Sequence, residues 1–150
     1  MALPPIGDDA IVIGASAADW RAAVQLAGDA LQRSGAAEAA YAGEMVRMIE
    51  ENGPYVVIAP GLALAHARPG PSVLADGLSV VTLAEPVSFG HPYNDPVRVV
   101  LGLAVHSVDR HLELIASLAN AFNDNSSVDL LASASTPDEV RAILGVGALS

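Results

Sequence analysis

The chain has 150 residues, of which 52% are hydrophobic and 16% charged, enough apolar material to predict a single domain spanning residues 1–150. Seven arginines, no lysine and 17 acidic residues give a formal net charge of −10; this argues against nucleic-acid binding and excludes a Schiff-base lysine and the lysine-bearing phosphate loop. The absence of cysteine excludes disulfides, thiolate catalysis and cysteine zinc sites.

The sequence also lacks the signals of membrane insertion and export. No apolar stretch approaches the roughly 20 residues that a membrane-spanning helix needs, so no direct membrane insertion is expected. The opening MALPPIGDDA lacks the basic and long apolar regions of a secretory signal, which predicts a cytoplasmic protein. Because neither GxGxxG nor GxSxG occurs, a dinucleotide site and a hydrolase elbow have no support, and no cofactor is expected.

The first third of the chain predicts two helices. After an apolar opening at residues 10–13, Ser16 and Asp19 resemble a capping box, and apolar residues then recur at helical spacing until Ser34 and Gly35. A second amphipathic helix is predicted over residues 38–51, stopped by Asn52-Gly53-Pro54. Its stripe of methionine and tyrosine is typical of a core face.

The rest of the chain predicts strands followed by helices. Four strand-like runs cover residues 55–59, 62–65, 78–83 and 97–105. The last is almost wholly apolar, as expected of a central strand covered on both faces. A helix over residues 110–122 follows, with Ser107 or Asp109 as its N-cap, and Thr136-Pro137 begins a short final helix. These elements imply a sheet with helices on both sides.

The segment PYVVIAPGLALAHAR, residues 54–68, ends an apolar run in His66 and Arg68. A neutral imidazole can attack phosphorus or accept a proton, and a guanidinium can clamp phosphate oxygens. On an extended chain the two side chains would share one face, which suits an anionic phosphoryl group. The alternative is that His66 is a half-buried structural histidine and Arg68 a solvated surface charge.

The chain has three other histidines. His111, in the first turn of a predicted helix, could donate a ring N–H to a phosphoryl group beside the helix amides, or could be a solvated first-turn residue. His106 lies five residues earlier, a spacing that matches no zinc signature, so metal binding by His66, His106 and His111 stays open without a geometric reason for it. His91 and Asp95 are interpreted as turn residues, and Glu44, Glu50 and Glu51 as a solvated helix face.

Three segments together resemble a known family. They are EENGPYVVIAPGLALAHARPG, LAEPVSFGHPYNDPVRVVLGLAV and HLELIASLANAFND. They look like the EIIA domain of the bacterial phosphoenolpyruvate-dependent sugar phosphotransferase system (PTS), mannitol/fructose class, and the PYVVIAPG and HARP wording is most similar to the ascorbate branch. The similarity runs from about residue 10 to residue 144.

The resemblance implies an α/β fold, a three-layer α/β/α sandwich with a mixed β-sheet flanked by helices on both faces, built as a single EIIA type-2 domain over residues 1–150. It implies a cytoplasmic phosphotransferase with a phosphohistidine intermediate and no cofactor or metal. His66 matches the histidine that takes a phosphoryl group from phospho-HPr and passes it to an EIIB subunit, with membrane EIIC served indirectly. His111 matches the histidine that stabilises that group. Arg68 matches the arginine of the HAR wording, and its phosphate-binding role is inferred from charge and proximity.

Two positions depart from the family pattern. Ala65 stands where proline commonly precedes the active histidine, and Glu50 stands where mannitol-like members carry an arginine, so anion stabilisation would fall to Arg68. The sequence leaves open a regulatory EIIA-like domain and a histidine-based metal- or ligand-binding module. It also leaves open the sugar, with ascorbate or a pentitol-like substrate suggested by the branch, and whether the chain forms a homodimer.

Overall fold

A computed structural model of the chain describes residues 5–122 and 126–146, without the side chains of Val108, His111, Ala119 and Ala121. The elements in chain order are β1 (Ile11–Ala15), α1 (Trp20–Arg33), α2 (Ala40–Asn52), β2 (Val57–Ala59), β3 (Leu62–His66), β4 (Gly77–Val87), β5 (Val97–Ala104), α3 (Val108–Ala121), α4 (Ser126–Ser133) and α5 (Pro137–Leu144). Among the described helices, none is long and apolar enough to cross a membrane.

The five strands form one mixed sheet in the order β1-β4-β5-β3-β2. β1 pairs with β4 and β3 with β5 in parallel, whereas β4–β5 and β2–β3 are antiparallel. β5 is the central strand, as predicted. Because β3 and β5 are parallel, their carboxyl ends meet at one edge of the sheet, where His66 pairs with Leu103.

Helices cover both faces of this sheet and bury two separate apolar clusters. On one face α1 and α2 pack with Ala63 and Ala65 of β3. On the other face α3, α4 and α5 pack with Leu62 and Leu64, since successive strand side chains alternate between faces. The expected α/β/α sandwich with a mixed sheet is therefore confirmed. By the same alternation His66 lies on the α3 face.

Most helix ends follow the capping residues in the sequence. Ser107 caps α3 by accepting a hydrogen bond from the Arg110 N–H, and Thr136 caps α5 in the same way. At α1 the predicted capping box is wrong: Asp19, not Ser16, is the N-cap, and its side chain accepts from the Ala22 N–H. Gly53 ends α2 with a φ of 86°, a conformation that glycine adopts without steric cost.

Three elements differ from their predicted extent. β4 runs to Val87 rather than residue 83, with a register irregularity beyond Thr82 where its residues become exposed. α4 was not predicted, because it is short, half of its eight residues are polar, and it buries only Val128 and Leu131; the Arg98–Asp129 ion pair ties it to β5. Tyr55 precedes β2 instead of starting it.

Candidate functional site

His66 is the last residue of β3 and is partly buried. Its Nδ1 lies 3.2 Å from the carbonyl oxygen of Leu64. Because a carbonyl can only accept a hydrogen bond, Nδ1 is the donor in this contact, and in the neutral ring the lone pair then lies on Nε2. The backbone thus selects one tautomer and assigns the nucleophilic nitrogen.

Tyr55 stands beside this histidine, and Arg68 follows it by two residues. The Tyr55 ring meets the His66 ring edge-on, with the centroids 5.8 Å apart and the planes at 84°. Burial raises the pKa of Tyr55, while the nearby positive charge of Arg68 opposes that rise. The strand pattern of residues 55–59 gave no reason to expect this ring contact between Tyr55 and His66.

The N-terminal end of α3 lies at the same edge of the sheet. α3 begins four residues after β5 ends, and β5 ends beside His66. Asp76, just before β4, fixes this end: its carboxylate accepts from the His106 N–H at 3.1 Å and from the Arg110 Nε–H at 3.1 Å. His111 occupies the first turns of this helix, as predicted, but its side chain lies outside the described part of the structure.

Arg68 lines a cleft of about 450 Å³ between α2 and the loop that follows β3. The cleft wall on α2 includes Arg47 and Glu51, so α2 presents a second guanidinium next to Arg68. Glu50 faces away from it, toward α1, where its carboxylate accepts from Arg21 Nε at 3.1 Å. Arg47, one helical turn earlier on α2, is therefore the counterpart of the arginine that is missing at position 50.

Tyr41 is a second residue whose role the sequence pattern did not indicate. It was assigned to the core stripe of α2, and its ring is indeed buried, with 1% of its surface exposed. Its hydroxyl, however, hydrogen-bonds the backbone of Ala67 and Leu103 at the end of β3. The sequence gives only one sign of this contact, which is the polar hydroxyl of Tyr41 on the otherwise apolar face of α2.

The remaining candidates have structural roles among the described residues. Asp95 accepts hydrogen bonds from Ser88 and from three successive backbone N–H groups of residues 89–91, so it organises the loop as predicted. Burial raises its pKa, but these bonds outweigh that effect and lower it. His91 Nδ1 accepts from the Tyr93 and Asn94 N–H groups, which confirms a turn residue. Within the described side chains, no three histidine, aspartate or glutamate groups could hold a metal ion.

Comparison with known proteins agrees with this arrangement. Residues 5–145 match the family model described as "Phosphoenolpyruvate-dependent sugar phosphotransferase system, EIIA 2". The "Ascorbate-specific PTS system EIIA component" of Salmonella typhimurium is 37% identical over 138 residues, covering 91% of this chain and 90% of that protein.

Solved structures show the same fold. The crystal structure of IIA mannitol from Escherichia coli superimposes with a TM-score of 0.82 at 30% identity, covering 93% of this chain and 98% of that one. Enzyme IIAMTL in complex with phosphorylated enzyme IIBMTL, also from Escherichia coli, gives 0.82 at 29% identity, covering 93% and 96%. The match over almost the whole chain shows that this protein belongs to the EIIA 2 family of the phosphoenolpyruvate-dependent sugar phosphotransferase system and is a phosphotransferase component.

Proposed function

We propose that this chain is a cytoplasmic phosphocarrier that accepts a phosphoryl group from phospho-HPr on His66 and passes it to an EIIB subunit, forming one EIIA domain over residues 1–150. The observation that carries the proposal is the hydrogen bond from His66 Nδ1 to the Leu64 carbonyl, which leaves the lone pair on Nε2 at the end of β3. A neutral imidazole nitrogen that keeps its lone pair can attack phosphorus.

The transfer is a simple exchange of bonds at phosphorus. The Nε2 lone pair forms the new N–P bond as the bond between phosphorus and the donor breaks. Nδ1 keeps its hydrogen throughout, because the Leu64 carbonyl holds it. The positive charge that the phosphorylated ring acquires lies against this carbonyl, whose negative end stabilises it.

Charge around the phosphoryl oxygens is supplied by two neighbours in this proposal. Arg68 contributes a guanidinium suited to phosphate oxygens. His111 contributes a ring N–H, and the N-terminal end of α3 adds the positive end of a helix dipole at the same edge of the sheet. Both would stabilise the transferring group.

The relatives suggest the acceptor and the transported compound. The mannitol enzyme IIA forms a complex with phosphorylated enzyme IIBMTL, and the curated relatives are ascorbate-specific. We therefore assign an EIIB subunit as the acceptor and ascorbate as the first compound to test, with membrane EIIC served through EIIB.

The decisive experiment is intact-mass analysis after incubation with phosphoenolpyruvate, enzyme I and HPr. One phosphoryl adduct is expected on the wild type and none on His66→Ala, with slower formation or faster loss on His111→Ala. His91→Ala is the matched control, since His91 belongs to the loop stabilised by Asp95 and should keep the adduct. An adduct that persists in His66→Ala would contradict the assignment of the nucleophile.

A second step separates transport from regulation. Phosphorylated protein is mixed with the EIIB encoded nearest to it, and the mass of each partner is followed. Transfer to EIIB supports a transport carrier, whereas a stable phosphoprotein that transfers nothing would favour the regulatory alternative. Size measurement before and after phosphorylation tests the homodimer.

A further inference from the structure

The hydroxyl of Tyr41 lies at the point where β3 leaves the sheet. It donates a hydrogen bond to the Leu103 carbonyl at 2.7 Å and accepts one from the Ala67 N–H at 3.1 Å. Leu103 is the register partner of His66, and Ala67 is the residue that follows His66. One buried side chain thus holds both strands at the candidate nucleophile.

The register of the sheet shows what this hydroxyl replaces. The Leu64 N–H points toward the β2 side and donates to the carbonyl of Val56, the residue before β2, at 2.8 Å. Because backbone directions alternate along a strand, the Ala67 N–H points the other way, toward β5. In a continued parallel ladder it would bond the carbonyl of Leu103, the partner of His66. The Tyr41 hydroxyl is inserted between these two groups and takes the place of the last direct bond.

The hydroxyl bridges the end of β3 and β5, so that neither the Ala67 N–H nor the Leu103 carbonyl is left unpaired. Tyr41 belongs to the cluster between α2 and the sheet, on the face opposite His66. It therefore reaches Ala67 from the α2 face of the sheet and does not occupy the space around the imidazole on the α3 face. The spacing at this point decides where the backbone beyond His66 runs, and hence where the imidazole and Arg68 are presented.

The hydroxyl stays protonated under working conditions. Burial raises the pKa of Tyr41 to about 12; the bond from the Ala67 N–H opposes the rise and the charge of Glu44 adds to it. The donor bond to Leu103 is therefore present throughout the neutral range. A group that keeps its proton cannot serve as the proton acceptor of the reaction, so its contribution is geometric.

We propose that Tyr41 is a positioning residue for phosphoryl transfer: its hydroxyl fixes the end of β3 so that His66 presents Nε2, and Arg68 its guanidinium, to the phosphoryl group. This inference rests on the proposed function of His66. It adds a residue from α2, on the far side of the sheet, to the machinery of the site.

The test compares Tyr41→Phe with Ser79→Ala. Both remove one hydroxyl with 1% or less of the residue exposed, but the Ser79 hydroxyl donates to the Ala27 carbonyl at 2.8 Å, on α1. Both variants should lose stability in urea unfolding. Only Tyr41→Phe should slow phosphoryl uptake at saturating phospho-HPr, by about ten- to a hundredfold, with little change in KM.

A spectroscopic readout needs no phosphoryl donor. Nitrogen-15 NMR of the histidine rings should show His66 in the Nδ1–H tautomer in the wild type and in Ser79→Ala, and a mixture of tautomers in Tyr41→Phe. If Tyr41→Phe does not fold, replacing Ala67 by lactic acid removes the N–H partner while keeping the tyrosine, and the same two changes are expected.

The outcomes separate the two claims. If the wild type takes up no phosphoryl group, the proposed function is overturned. The NMR comparison then still tests whether Tyr41 positions the His66 ring. Normal uptake by wild type, with Tyr41→Phe matching Ser79→Ala in rate and in tautomer, overturns the positioning role alone and leaves Tyr41 a stabilising residue.

Discussion

A backbone carbonyl selects the reactive nitrogen of His66. In many histidine sites a carboxylate holds the second ring nitrogen, which adds a negative charge beside the imidazole. Here the acceptor is the neutral carbonyl of Leu64, within the same strand. A neutral acceptor fixes the tautomer and adds no negative charge next to the incoming phosphoryl group. The arrangement suits a carrier that must both receive and release an anion.

The two arginines of the cleft between α2 and the loop after β3 should both assist phosphoryl transfer. Arg68→Ala should slow phosphoryl uptake by about tenfold, since a donor to the transferring oxygens is lost, and Arg47→Ala should act in the same direction with a smaller effect. Both line the cleft beside the end of β3. Stopped phosphorylation reactions analysed by intact mass would measure the rates.

Arg33→Ala is the matched control, because it removes the same charge from the end of α1, where Arg33 Nε donates to the Asp9 carbonyl. Its uptake rate should equal that of the wild type. Equal slowing in Arg33→Ala and Arg68→Ala would show that net charge, and not a local contact, governs the reaction.

Single residues were predictable from sequence where their chemistry is unusual for their surroundings. His66 was located at the end of β3 because a polar ring after a long apolar run is conspicuous. Tyr41 and Tyr55 were not, because tyrosine is ordinary in a core stripe or a strand. Their roles depend on contacts with residues 26 and 11 positions away, which no local pattern encodes.

At the scale of elements, the position of α2 depends on its close approach to α1. A Cβ built on Gly28 of α1 would lie 2.3 Å from the Cβ of Ala42 and 2.7 Å from its Cα. No side-chain movement relieves a contact with backbone, so the two helices can meet at this distance only with glycine. α2 in turn carries Tyr41 and Arg47 to the site.

Gly28→Ala should therefore lower the free energy of unfolding by about 1–3 kcal/mol, since overpacking outweighs the gain in helix propensity. Gly43→Ala is the control on α2, because a Cβ there meets nothing within 4 Å. It should raise stability by about 0.5–1 kcal/mol, from helix propensity alone. Urea denaturation of both variants measures the difference, and a stabilised Gly28→Ala would show that the helices separate easily.

Long elements with a clear period were predictable, and short or irregular ones were not. The helices at α1, α2 and α3 and the central β5 follow from apolar spacing that local sequence carries. α4 escaped because it is short, only half of its eight residues are apolar, and the Arg98–Asp129 ion pair that ties it to β5 joins residues far apart in sequence. The far half of β4 escaped because its exposed residues, including Pro86, resemble a loop.

At the scale of the whole molecule, net charge must be reconciled with an anionic substrate group. The chain carries 17 acidic residues and seven arginines. Two of those arginines, Arg47 and Arg68, line a cleft beside the end of β3, and they share its wall with Glu44 and Glu51. The site is thus locally mixed in charge within a strongly acidic protein. We expect the surrounding field to attract a basic protein surface while the arginines receive the phosphoryl group itself.

If acidic residues attract the donor and arginines bind the phosphoryl group, an acidic substitution should change the encounter with the donor and not the transfer step. Glu51→Gln should lower kcat/KM for phospho-HPr at low ionic strength by about two- to threefold, through a higher KM, and leave kcat unchanged or slightly raised because a negative charge near Arg68 is gone. Glu85→Gln is the control. It changes net charge equally, but β4 places Glu85 at the opposite end of the sheet from His66.

Salt distinguishes steering from contact. At ionic strengths where the Debye length falls to about 3 Å, exposed charges no longer act at a distance, so the difference between Glu51→Gln and wild type should vanish. Steady-state assays with phospho-HPr as the varied substrate, repeated across salt concentrations, measure it. A Glu51→Gln effect that persists at high salt would instead mean a direct contact between Glu51 and the donor, and a faster encounter in Glu51→Gln would mean that the donor presents an acidic surface here.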